Sequence, residues 1–362
     1  MTFSKLVFLS LILSVSAYAL TREPGLDLSL EFEGRWVEET FHRAQTGGLD
    51  VGAQFDHNLS DSLTVSIDAI GRLQTGAYVS SFVDEYGAQQ GLVLREASMR
   101  WTPFVPLQLR WGVLPHNTLP TLIHDKAFTG VGERLSLDAG AWRFSIDAEQ
   151  SFASSPSRTL FPTFANSQFP AFLKEAASVN YWWQDGSAGL YVQHFAFLNL
   201  SREVEYRSRF FGNSGTGSTR ENASLSYNFH GIALGGNWEA RWGSLRSNLQ
   251  FDAHRNFDPP PGKRDALLGT VGLAWQWSPA VVSGLTVSLF HIESDAGPGF
   301  YSNKFLGHNN RRGLGASVYL DFPTTPLRVE LGYTNAEPID ANAFQNRFQQ
   351  AFLLFETSYD LL

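Results

Sequence analysis

The sequence predicts an all-β chain closed into a transmembrane antiparallel barrel of about 16 strands, with 18 or 14 as the alternative counts. Three observations carry that expectation. Apolar and polar residues alternate with period two along most of the chain. Short and long connections take turns between the alternating segments. Seven of the ten tryptophans lie within three residues of a short connection.

The first 19 residues read as a secretory leader. Lys5 is their only charge, residues 6–15 form a short apolar run, and Ala17-Tyr18-Ala19 matches an A-x-A cleavage site, placing the cut after Ala19. The run is short for a bilayer-spanning helix, and no later stretch reaches 18 continuous apolar residues. Residues 20–362 then form a single domain, because one closed sheet can use the whole chain.

Composition agrees. Of 362 residues 43% are hydrophobic, 14% aromatic and only 17% charged, below the roughly 25% of an average soluble domain. There are no cysteines, which excludes disulfides, thiol nucleophiles and Cys-ligated metals. The net charge is -8, or -9 from 26 basic and 35 acidic residues once Lys5 is removed, which argues against a nucleic-acid partner.

The first strand falls in residues 27–37. Leu28, Leu30, Phe32 and Trp36 share one face, and Asp27, Ser29, Glu31, Glu33 and Arg35 the other. Only an extended chain separates those sets. Leu63, Val65 and Ile67 alternate with Thr64, Ser66 and Asp68. Trp142, Phe144 and Ile146 alternate with Arg143, Ser145 and Asp147. Leu245, Leu249 and Phe251 alternate with Arg246, Asn248, Gln250 and Asp252. Leu327, Val329 and Leu331 alternate with Arg328 and Glu330.

Alternation alone also fits a half-buried sheet in water. The connections separate the two cases. Residues 58–62, 103–106, 138–140, 185–187, 243–244, 278–284 and 322–326 are short. Residues 38–48, 74–91, 114–128, 153–174, 201–230, 256–263, 295–308 and 335–343 are long. Short periplasmic turns opposite long external loops belong to outer-membrane barrels. Residues 201–242 are the least regular. Val204, Tyr206 and Phe210 alternate with Glu203, Glu205, Arg207 and Arg209, which predicts, with residues 220–229, strands extended beyond the membrane; taken as a transmembrane hairpin they give 18.

Trp101, Trp142, Trp182, Trp183, Trp242, Trp275 and Trp277 cluster by the short turns, as a headgroup-level girdle requires. In hydrocarbon an unpaired backbone group costs several kcal/mol. The first strand is therefore expected to pair with the last, within residues 344–362, whose Ala351, Leu353, Phe355, Tyr359 and Leu361 point outward.

The leader, the turn asymmetry and the C-terminal strand together resemble bacterial outer-membrane porins over essentially the whole mature chain. L-R-E-A-S-M-R-W over residues 94–101, followed by P-L-Q-L-R-W-G over 106–112, is similar to a hairpin of phosphate-selective and related porins. The resemblance implies passive diffusion of small hydrophilic solutes or ions through a water-filled lumen, with outer-membrane lipids around it. It also implies a homotrimer and an insertion machinery that reads the C-terminus. Many such barrels end in an aromatic residue, whereas this chain ends Tyr359-Asp360-Leu361-Leu362. No cofactor or metal is expected.

Arg100, Arg110, Arg143, Arg241, Arg246 and Arg328 fall on the inward face near the short turns. Acids accompany four of them: Glu96 with Arg100, Asp147 with Arg143, Glu239 with Arg241, and Glu330 with Arg328. The set reads either as a basic ring that filters anions or as a lattice of ion pairs that stiffens the wall. The porin resemblance implies that the third long loop, 114–128, folds inward. His116, Asn117, His124, Asp125 and Lys126 would then line a constriction, with Asp125 facing the wall arginines. Residues 153–174, carrying Phe161, Phe164, Phe169 and Phe172, are a rival plug.

Two other classes compete. Inward Phe290 and Ile292 are apolar for a wet wall and suit a plugged structural or adhesive barrel. His291 with Glu293, His194 or His254 would suit a barrel hydrolase, but no G-x-S-x-G or H-E-x-x-H motif accompanies them.

Overall fold

The computed structural model describes residues 25–39, 42–80, 87–115, 122–153 and 169–360. The expected leader and its cleavage site lie outside them. Strands run β1 (Gly25–Glu39), β2 (His42–Asn58), β3 (Leu63–Ser80), β4 (Gln90–Phe104), β5 (Leu107–Leu114), β6 (Phe128–Ala139), β7 (Trp142–Phe152), β8 (Ala171–Trp183) and β9 (Gly186–Leu198). After an excursion follow β12 (Phe229–Trp242), β13 (Leu245–Asn256), β14 (Asp265–Ser278), β15 (Val281–Ile292), β16 (Arg311–Phe322), β17 (Leu327–Pro338) and β18 (Phe348–Asp360). These 16 strands form one closed antiparallel barrel. β1 meets β18 in register from Asp27↔Asp360 to Glu38↔Gln349, so no edge remains in the wall.

Register turns the sequence alternation into two surfaces. Leu30 stands beside Val51 and Thr357, and Phe32 beside Leu49 and Phe355, all on the outer wall. Phe32 is 50% exposed, Ile146 62% and Leu331 54%. Side chains of this kind ring the whole barrel, far beyond the apolar patch a soluble monomer leaves in water. The seven short turns are where they are expected. Gly140 and Gly243 open two of them at φ 63° and 60°, the left-handed conformation that a two-residue hairpin with glycine first requires. Trp101, Trp142, Trp242, Trp275 and Trp277 are exposed around this end. Trp182 departs from the expected girdle. It shares the inward face with Arg143, whose guanidinium lies 5.5 Å from its ring.

Two stretches depart from the sequence reading. The expected long loop at 38–48 is a continued hairpin, with pairing kept up to Glu39↔His42. Val37, Glu39, His42 and Ala44 are buried there, so the inward face has packing that holds the strands together past the membrane. The segment read as extended strands from 203 is a helix, α1 (Arg202–Phe210). Ser201 caps it, accepting from the Val204 N–H, and Glu203 pairs with Arg207 one turn on at 2.5 Å. Acids in its first turn and arginines in its last suit the helix dipole. The same residues alternate by chance, and burial of Val204 and Ser208 on one face selects the helical period. Only the two-residue pair β10 (Gly215–Thr216) and β11 (Ser224–Leu225) follows, outside the barrel.

The interior is not uniformly wet. At the long-loop end two apolar clusters fill it. One joins Phe128, Phe172, Phe195, Phe197 and Phe229 of the wall to Val204, Phe210 and Phe211 of the excursion and to Phe300 and Tyr301. The other joins Val37, Ala44, Leu268, Phe290, Ile292 and Phe348 to Leu122, Ala296 and Leu306. Inward Phe290 and Ile292 thus pack against loops rather than facing water.

Candidate functional site

Two inward loops shape the lumen. Of the first, which follows β5, residues 122–127 are described. Leu122 is rooted in one apolar cluster and Ile123 in the other. His124 is buried, its ring stacked on Phe128 at 4.7 Å and edge-on to Phe172 at 4.7 Å. With its neighbours held in grease, the loop presents Asp125 and Lys126, 2.7 Å apart, to the open side.

The second loop, 293–310, was not singled out from sequence. It is almost wholly buried and locked at several points. Asp295 accepts from Ser214 N at 2.8 Å, Ser214 Oγ at 2.7 Å and Ser294 Oγ at 2.9 Å. Burial holds its carboxyl above the usual carboxylate range, against the downward pull of these donors. Asn213 donates to Ser294 O and Gly297 O, and Asn256 to Asp295 O. Tyr301 stacks on Phe197 at 5.7 Å and donates its hydroxyl to Ala153 O. Asp125 N donates to Tyr301 O at 2.7 Å, joining the two loops. At the loop's end Arg311 is fully buried, paired with the Glu39 carboxylate and donating to Asn346 O.

What stays open is a cavity of about 840 Å³ between these loops and the wall of β17, β18, β1, β3 and β4. Its lining carries both signs: Glu31, Glu33, Asp68, Asp125 and Glu330 against Arg35, Arg72, Arg95, Lys126 and Lys304. Several are already matched. Arg35 holds Glu33 at 2.5 Å and Arg72 holds Asp50 at 2.7 Å. Phe305, Phe352 and Leu354 give the cavity an apolar side, and Arg35 lies 4.9 Å over the Phe305 ring.

No protein-family model matches the chain, and no curated protein matches it in sequence. Solved structures do match in shape. OprB of Pseudomonas putida, in its high-pH structure, is 12% identical, with 93% of this chain and 94% of that chain aligned at a TM-score of 0.57. OmpT, an outer-membrane protein of Vibrio cholerae with its loop L8 deleted, is 9% identical, with 93% and 99% aligned at 0.52. The fold is that of the 16-stranded outer-membrane porins.

Within this barrel the residues singled out from sequence separate into three groups. Asp125, Lys126 and Glu330 line the cavity of about 840 Å³. His124 does not; it is buried among aromatic rings, because the apolar footing of the loop takes it. His116 and Asn117 lie outside the described residues, as do Phe161 and Phe164 of the rival loop. Phe172 sits inside the mouth and Phe169 is exposed, 6.1 Å from Phe152.

The six arginines lie towards the short turns, and none of them lines the cavity of about 840 Å³. Register decides their partners. Glu330 holds Arg328 at 2.7 Å, as expected. Arg143 takes Asp138 across the hairpin at 2.6 Å, leaving Asp147 to Arg134 at 2.5 Å. Glu96 accepts from Ser98 rather than pairing with Arg100. Arg241 donates to Gly243 O and Gln276 Oε1 rather than pairing with Glu239. Arg100 stands directly opposite Arg110, and Arg241 opposite Arg246. None of these four makes an ion pair among the described residues. Arg241, Arg246 and Glu239 line a second cavity of about 560 Å³ at the short-turn end.

Of the charged cavity residues, Arg35 and Arg72 were missed because inwardness alone does not give height in the pore, and Arg95 because regular alternation turns it outward. The second loop left a signal in the sequence: Phe195, Phe197, Phe290 and Ile292 are apolar on the inward face, and something had to cover them. Of the hydrolase candidates, His291 is 3.7 Å from Glu293, whose other oxygen accepts the Arg264 and Asp265 N–H groups. His254 is buried beside Ala296 O at 3.1 Å.

Proposed function

We propose that this protein is an outer-membrane channel for passive diffusion of small hydrophilic solutes or ions. One observation carries the reading: a closed wall, apolar outside, encloses a charged cavity of about 840 Å³ that two inward loops leave open beside β1, β3 and β4. Interior charges have no use in a solid core, where desolvation penalises them. Export with removal of residues 1–19, insertion by the outer-membrane machinery and assembly as a homotrimer belong to the same proposal.

The opposed pairs Arg100/Arg110 and Arg241/Arg246 support an anion-attracting inner vestibule, since like charges directly opposite each other destabilise a sheet. A plugged structural barrel is the second reading, favoured by the two apolar clusters at the long-loop end.

Planar-bilayer recording tests both. The channel reading expects stepwise openings, and a reversal potential in a salt gradient that moves towards cation preference in Arg100→Gln/Arg110→Gln. Silence at every applied voltage would favour the plug, and an unmoved reversal potential would remove the basic vestibule.

A further inference from the structure

The hydrogen-bonded register of β3 and β4 slips once. Asp68 faces Glu96, and the next residue, Ala69, faces Leu94, so Arg95 is one residue too many. A bulge of this kind re-aims the side chain it carries. Glu96 faces into the lumen with Asp68, and regular alternation would send Arg95 out to lipid. The slip brings it in: Arg95 lines the constriction and is exposed there.

Its surroundings are unusual for a wall arginine. Arg95 makes no ion pair or hydrogen bond among the described residues, and neither do two carboxylates that line the same cavity, Glu31 and Asp68. The neighbouring charges have partners: Arg35 with Glu33, Arg72 with Asp50, Lys126 with Asp125, Glu330 with Arg328, and Lys304 over the Phe305 ring at 5.4 Å. Acid is in surplus behind the open set. Glu31 stands directly between Asp50 and Glu356, and Asp68 opposite Glu96. One guanidinium and two carboxylates are therefore left facing the water of the constriction.

We infer that Arg95, Glu31 and Asp68 form a subsite selecting small solutes that carry a carboxylate and an ammonium on the same molecule. Arg95 receives the carboxylate through its planar fork of donors. Glu31 and Asp68 receive the ammonium. A solute with only a negative charge meets the acidic surplus, and one with only a positive charge leaves the donor fork of Arg95 unfilled. Phe352 and Leu354 on the same cavity wall accommodate a short apolar body.

The inference rests on the channel reading, and the test separates the two. Entry of labelled glycerol, serine, lactate and ethanolamine into proteoliposomes is measured at zero membrane potential. Serine is expected to enter faster than lactate and ethanolamine. Arg95→Gln is expected to slow serine by about tenfold, the effect of one lost charge-assisted contact. Glu31→Gln/Asp68→Asn should remove the lead of serine over lactate. Arg95→Lys keeps the charge on the bulge and should keep the lead of serine. Glycerol entry unchanged in all variants shows that the barrel is folded and open. Serine no faster than the singly charged solutes, or a serine-to-glycerol ratio that Arg95→Gln leaves intact, would overturn the subsite while the channel stands. A wild-type barrel closed to glycerol would overturn the channel itself.

Discussion

Replacing Arg311 by Met is expected to lower the stability of the barrel by about 3–5 kcal/mol, because it leaves Glu39 buried without a counter-charge. The guanidinium is 1% exposed and the Glu39 carboxylate 6%. Arg311 also donates to Gly307 O and Asn346 O, tying β16 to the ends of two long loops. Its loss therefore frees both loop 293–310 and the hairpin end of β1 and β2. The double variant Glu39→Gln/Arg311→Met removes the orphan charge and is expected to recover much of the loss. Thermal unfolding in detergent, followed by circular dichroism, measures both. A double variant as unstable as Arg311→Met would show that the pair acts through shape rather than charge.

Replacing Tyr301 by Ala is expected to have the next largest effect, about 3–5 kcal/mol on the packing of the second loop. Tyr301 is fully buried between Phe128, at 5.1 Å, and Phe197, and bonds across to Ala153 O. Through its carbonyl it also supports Asp125 in the constriction. Loosening this anchor should widen the path, so single-channel conductance is expected to rise while the barrel remains folded. Tyr301→Phe keeps the rings packed and loses only the hydroxyl bond, so its conductance should stay near that of the parent. Equal conductance in Tyr301→Ala and the parent would mean that loop 293–310 does not limit flow.

Much of the wall is legible in the sequence, because a lipid-facing sheet imposes period two on every strand and closure imposes an even count. The turns, the pairing of β1 with β18 and the outward Leu30, Phe32, Phe355 and Tyr359 follow from that alone. What fills the wall is less legible. Asp295, Asn213, Asn256 and Asn309 look like ordinary loop residues until the fold brings positions 15, 39 and 81 apart into contact. Glu203 to Phe210 satisfies both the strand and the helix period, and only packing decides between them. Ion pairs were misassigned along a strand because their partners come across it: Asp138 for Arg143, Arg134 for Asp147. The slip that turns Arg95 inward has no local signature, since it is a relation between two strands.

The central claim is that the outward side chains meet lipid while the charged lumen meets water. Tryptophan fluorescence in vesicles whose acyl chains carry bromine reads this out, because bromine quenches only indoles that touch the lipid. Trp101, Trp142, Trp242, Trp275 and Trp277 surround the short-turn end on the exposed side. Strong quenching is expected, falling stepwise as these five are changed to Phe. A folded protein that stays in aqueous buffer without detergent and whose emission the brominated vesicles leave untouched would contradict it.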